Sequence, residues 1–132
     1  MAAARVIGAL ALLVVGGIHF EQYDVAHYSV IPTIGELFLL NFVGASVCGL
    51  ALLAFAFVRR PLLDAVAALG GIAVSAGALA ALLISEQTPL FGFMEQGYRL
   101  EIMIAIASET VAIAALTWFV LGRRAAVARP AR

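Results

Sequence analysis

No lysine occurs in this chain. Its eight basic residues are all arginine and are matched by eight acids, so the formal net charge is zero. A balanced chain of 132 residues carries no basic footprint for nucleic acid, and no nucleic-acid partner is expected. Cysteine is nearly absent as well. Cys48 stands alone inside an apolar run, which excludes an internal disulfide and any paired-thiol zinc or redox motif. Charge of either sign is scarce, at 12%, and no polar stretch is long enough to build a soluble domain. No recognisable catalytic spacing is present either, so the reading leans away from an enzyme. Hydrocarbon fills the chain instead. It is 64% hydrophobic, against roughly 45–50% in soluble domains, with a mean hydropathy of +1.09.

Four apolar runs, at about 2–20, 34–58, 61–84 and 98–121, each approach the ~20 residues that carry a helix across a bilayer. The expected fold is all-α: a four-transmembrane-helix bundle forming a single integral-membrane domain over 1–132. The first run has a rival reading as a cleavable secretory signal, with Arg5 in a short n-region and small residues at Gly16 and Gly17. Orientation follows from the arginines. Arg5, Arg59, Arg60, Arg123, Arg124, Arg129 and Arg132 fall on one side of four alternating helices, and only Arg99 falls on the other. The positive-inside rule then predicts cytoplasmic N and C termini. Arginine-only, alanine- and glycine-rich usage suggests a high-GC bacterial source, hence the bacterial cytoplasmic (inner) membrane. The outer loops collect Glu21, Asp24, Glu36, Glu86, Glu95 and Glu101, either as ordinary solvated residues or as an attractor of cations.

Local signals agree with these spans. Thr33 and Glu36 have capping-box spacing, Pro61 suits a first helical turn, and Gly122 can close the fourth helix as a left-handed cap. Aromatic residues gather at both boundaries, as in an interfacial belt: Phe20, Tyr23, Tyr28, Phe91, Phe93 and Tyr98 at one, Phe55, Phe57, Trp118 and Phe119 at the other. A weak repeat links Glu21-Gln22 and Pro32-x-x-Gly35 in the first half to Glu86-Gln87 and Pro89-x-x-Gly92 in the second. Such a duplication would make two parallel helical hairpins.

Without a hydrophobic drive between helices, small residues mark the packed faces. Spacings of three and four group Gly8, Leu12, Gly16 and His19 on the first helix, and Asn41, Gly44, Ala45, Cys48 and Leu52 on the second. On the third they group Gly71, Ser75, Ala78 and Leu82, and on the fourth Glu101, Ala105, Ser108, Glu109 and Ala112. The polar residues thus share the buried faces. Glu109 lies about 16 Å below the boundary at Tyr98, taking ~1.5 Å per residue, near the midplane. An intramembrane carboxylate is a functional-site hypothesis by default. Glu109, His19, Asn41 and Glu101 are therefore the candidates for proton or ligand binding. The competing role for Glu109 is a neutral helix-to-helix bond to Asn41 or Ser75. Metal binding has only weak candidates, His19 and His27, with no tight ligand spacing. A bis-His haem would need two histidines inside facing helices, where only His19 is even marginally placed, and no cofactor is specified.

The stretches 31–41 (IPTIGELFLLN), 90–95 (LFGFME) and 107–109 (ASE), together with His19-Phe20, form a pattern over most of the chain. It resembles small, uncharacterised four-helix bacterial integral membrane proteins, a resemblance that implies a fold and carries no activity. Small multidrug transporters share the length and helix number, but their essential Glu lies in the first helix, which here has none. Four-helix quinone-linked thiol oxidoreductases are excluded by the single Cys. The leading expectation is an accessory or interaction subunit of a membrane assembly, or a homo-oligomer, whose partners are the lipid bilayer and another membrane protein or itself. The alternative is a carrier or binding protein for a proton, cation or small amphipathic ligand centred on Glu109.

Overall fold

In hydrocarbon a backbone must satisfy its own hydrogen bonds, which leaves the helix as the solution for an isolated apolar run. The computed structural model, which describes residues 1–58 and 60–127, has a helix at each of the four runs: α1 (Ala2–Asp24), α2 (Ile34–Ala54), α3 (Pro61–Ser85) and α4 (Leu100–Val127). A single 3-10 turn (Tyr28–Val30) interrupts the link between α1 and α2. All four helices are long and apolar enough to cross a membrane. Arg59, Arg129 and Arg132, with the side chain of Arg124, lie outside the described residues.

The helices close into a ring in chain order. α1 packs on α2 and α4, α3 packs on the same two, and α1 and α3 touch across the centre. Successive helices run antiparallel, so the start of α1 and the end of α4 lie at one end of the bundle. The core is narrow. Leu12, Val15, Leu52 and Leu116 are fully buried, separated by Ala9, Ala45, Ala68 and Ala112. Such spacing lets helix backbones approach closely. At Gly49 one helix meets the main chain of the next: a Cβ there would stand 2.9 Å from the Ala9 carbonyl oxygen. The opposite faces carry exposed Leu10, Val14, Val47, Leu62, Val66, Val111 and Trp118. That much outward hydrocarbon is a liability in water and ordinary in lipid.

Several boundaries differ from the sequence expectation. α2 ends at Ala54, although its apolar run continues to Val58. The link must turn before Pro61, and Arg60 takes the extended φ of −124° favoured ahead of proline. α4 passes through Gly122 to Val127, so Gly122 is no cap. Thr33 precedes α2 at φ +66° and its hydroxyl caps nothing, which removes the expected capping box. Pro61 does occupy the first turn of α3. The two hairpins are present as antiparallel pairs, but their shared loop motif differs in conformation. Gly35 lies within α2, where a Cβ would stand 2.8 Å from the Tyr28 carbonyl oxygen, whereas Gly92 adopts φ +81° in a turn.

The end holding the start of α1 and the last turns of α4 is tied by charge. The Asp64 carboxylate on α3 is buried and sits 3.6 Å from Arg5 of α1 and 3.3 Å from Arg123 of α4. Arg123 also donates to the Pro61 carbonyl at 2.8 Å and stacks its guanidinium over Phe119. Arg5 reaches the Phe55 carbonyl beyond α2 at 3.4 Å. One carboxylate thereby gathers the ends of all four helices.

Candidate functional site

The opposite half of the bundle is hollow. A cavity of about 110 Å³ lies among the four helices and the 86–99 loop, lined by His19 of α1, Asn41 of α2 and both Glu101 and Glu109 of α4. Water needs roughly 10–15 Å³ on this measure, so there is room for several waters or one compact organic molecule. The rest of the wall is mostly apolar, with Phe38, Leu82 and Phe93 prominent, and no arginine contributes to it. All four residues singled out from the sequence as a proton- or ligand-handling group therefore line one space.

Glu109 is the deepest of them. Its side chain is 2% exposed, and Oε1 lies 3.8 Å from His19 Nε2, too far for a hydrogen bond and close enough for one after a small rotation. Oε2 has no hydrogen-bond partner among the described residues. His19 is held by the other ring nitrogen, since Nδ1 lies 2.8 Å from the Val15 carbonyl oxygen. A carbonyl only accepts, so Nδ1 carries the proton and Nε2 of the neutral ring is an acceptor facing Glu109. The Phe38 ring, 5.2 Å away centroid to centroid, backs the imidazole.

Asn41 donates through Nδ2 to the Val74 carbonyl of α3 at 3.4 Å, leaving Oδ1 buried and without a partner. The Ser75 hydroxyl is likewise unpartnered. Ser108 bonds back to the Ile104 and Ala105 carbonyls of its own helix. The helix-to-helix bond from Glu109 to Asn41 or Ser75 is thus not formed, and His19 is the ionisable neighbour of Glu109 instead. His27 is exposed on the 25–33 loop, apart from the cavity wall. Among the described residues no three metal-ligating side chains converge.

The rim was not legible in advance. Arg99 donates to the Tyr28 hydroxyl at 2.9 Å and to Gln22 Oε1 at 3.1 Å, and it pairs with Glu95 at 3.4 Å. Tyr28 in turn donates to Glu95 Oε2 at 3.2 Å and rests its ring on Phe38 and Phe93. Burial, then the adjacent Glu95 charge, raises the Tyr28 phenol above its ordinary range, which keeps it a donor. This latch joins the 25–33 and 86–99 loops over Gln22, Phe93 and Glu95, which line the cavity. Its sequence signal was Arg99, the lone cation among outer acids. The other residue missed was Asp64, whose place in a first helical turn is also that of an ordinary dipole-complementing acid.

The latch makes a prediction. Tyr28→Phe removes two hydrogen bonds in a half-exposed setting, together about 1 kcal/mol. Amide exchange at Glu95, whose N–H donates to the Ser85 carbonyl, should accelerate about fivefold. Unchanged exchange would mean that the loop is held by its backbone alone.

The chain matches no protein-family profile, no curated protein and no solved structure. The likeness to small four-helix bacterial membrane proteins therefore assigns no family, and function rests on geometry.

Proposed function

We propose that this small membrane protein binds or carries a small amphipathic ligand in the cavity, with Glu109 central and His19, Asn41 and Glu101 supporting it. One observation carries the reading: three helices deliver these four polar side chains to the same mostly apolar space. Concave apolar walls with a few convergent polar groups are the common form of ligand sites. The alternative role, accessory subunit or homo-oligomer, drew its support from small-residue faces. Gly8, Gly16, Gly49 and Gly71 instead meet neighbouring helices within the bundle, which moves the weight to the ligand reading. The setting we infer is the bacterial cytoplasmic membrane with both termini inside, on the asymmetry of the arginines.

The two histidines provide a built-in comparison, since His19 lines the cavity and His27 is exposed outside it. Toluene added to the protein in lipid nanodiscs should shift the nitrogen resonances of His19 and leave those of His27 unchanged. In Ala105→Phe, which fills the space from α4, the His19 response should fall at least fivefold while the helical circular dichroism stays constant. Equal shifts at both histidines, or a full response in Ala105→Phe, would remove the cavity as the site.

A further inference from the structure

Resting on that reading, we infer that the ligand is a compact organic ammonium whose N–H groups dock on Glu109. The hydrogen-bond inventory of the wall carries the argument. Each side-chain donor group on the wall already holds one protein acceptor: His19 Nδ1 the Val15 carbonyl, Gln22 Nε2 the Glu21 carboxylate, Asn41 Nδ2 the Val74 carbonyl, and Ser85 Oγ the Leu82 carbonyl. What remains leans to acceptors, with one spare N–H on each of the Gln22 and Asn41 amides. Glu109 Oε2 and Asn41 Oδ1 are buried acceptors without partners, and His19 Nε2 is an acceptor by its tautomer. A buried acceptor left unsatisfied is costly, so the complementary occupant brings donors.

Charge points the same way. Among the described residues Glu95, Glu101 and Glu109 line the space and no Arg or Lys does; Arg99 pairs with Glu95 from the rim and also feels the Glu101 charge. Anions are disfavoured by this wall. A divalent metal would need a convergent ligand set, and none of three or more His, Cys, Asp or Glu residues is assembled among the described residues. An ammonium supplies up to three donors, one for each free acceptor, and its carbon body suits the rings of Phe38 and Phe93. The Glu109 carboxylate, the Asn41 carbonyl oxygen and the His19 imidazole are thus three acceptors awaiting donors.

Four probes of one shape separate charge, donors and fit: benzylammonium, benzyltrimethylammonium, benzoate and toluene, each titrated into nanodisc-embedded protein with the His19 and His27 nitrogen resonances as readout. Benzylammonium should saturate His19 at a concentration about 10- to 100-fold lower than toluene, the worth of one or two charge-assisted hydrogen bonds. Benzyltrimethylammonium, charged but without N–H donors, should lose most of that gain, and benzoate should bind worse than toluene. Glu109→Gln should abolish the benzylammonium advantage while retaining the toluene response, which reports an intact cavity. Equal binding of benzylammonium and toluene would overturn the ammonium inference and leave the cavity reading standing. A preference for benzoate would likewise overturn the inference. Absence of any His19 response to all four would overturn both.

Discussion

Replacing Asp64 with alanine is expected to destabilise the bundle by about 2–4 kcal/mol, the largest loss from any single side chain outside the packed core. Removing one member of a buried ion cluster leaves the others uncompensated, typically at about 3–5 kcal/mol. That figure is reduced here because Arg5 and Arg123 retain 15% and 28% exposure and are partly screened. Two arginines would lose their shared acceptor at once, and the termini of α1 and α4 would separate from α3. Loss of helicity during titration with a denaturing detergent should begin at clearly lower detergent fraction. The triple replacement Arg5→Met, Asp64→Leu and Arg123→Met should recover most of the loss, since an apolar set of similar volume can substitute for a buried ion cluster. An Asp64→Ala protein as stable as wild type would show the cluster to be incidental.

The second large effect is Gly49→Leu. The first carbon added would already crowd the Ala9 carbonyl at 2.9 Å and the Leu13 side chain at 3.1 Å, and backbone has no rotamer by which to yield. Overpacking of this kind costs about 1–3 kcal/mol, occasionally more, and the upper part of that range is expected because α1 must move as a whole. Gly77→Leu is the matched comparison. No atom lies within 4 Å of its added carbon, and leucine is the better helix former by about 0.5–1 kcal/mol. The same detergent titration should therefore shift downward for Gly49→Leu and slightly upward for Gly77→Leu. A common shift for both would mean that helix propensity, and not the α1–α2 contact, governs these positions.

How far the sequence could be read depended on which physical force left a mark in it. Chain length in hydrocarbon is a strong constraint, so the four helices and their antiparallel order were legible. Their ends were less so. Phe55, Phe57 and Val58 are as apolar as a spanning helix requires, yet the demands of Pro61 end α2 earlier. Gly122 reads as a cap, but Arg123 beyond it has partners in Asp64 and Pro61, and those reward continuing the helix. Helix adjacency was not legible at all, because lipid accepts any apolar face and the helices are greasy all round. The small-residue spacing still grouped His19, Asn41, Glu101 and Glu109 correctly on inward faces. It did not show that His19, rather than Asn41 or Ser75, stands beside Glu109, because that depends on the rotation of α1 against α4. The latch was hidden for a different reason: Tyr28, Glu95 and Arg99 lie on two loops, where spacing along the chain says nothing of distance.

The Asp64 clasp has a consequence for traffic. From Glu109 to Arg123 is fourteen residues along α4, about 21 Å of helix, and that length is packed with Leu12, Leu52, Leu116 and Phe119 before the ionic tie is reached. The hollow is closed toward that end. The way past Arg123 stays shut unless the tie is broken and the leucine plug parts. On the ligand reading proposed above, the cavity in this conformation serves one end of the bundle, and passage to the other end would need Asp64 to release both arginines.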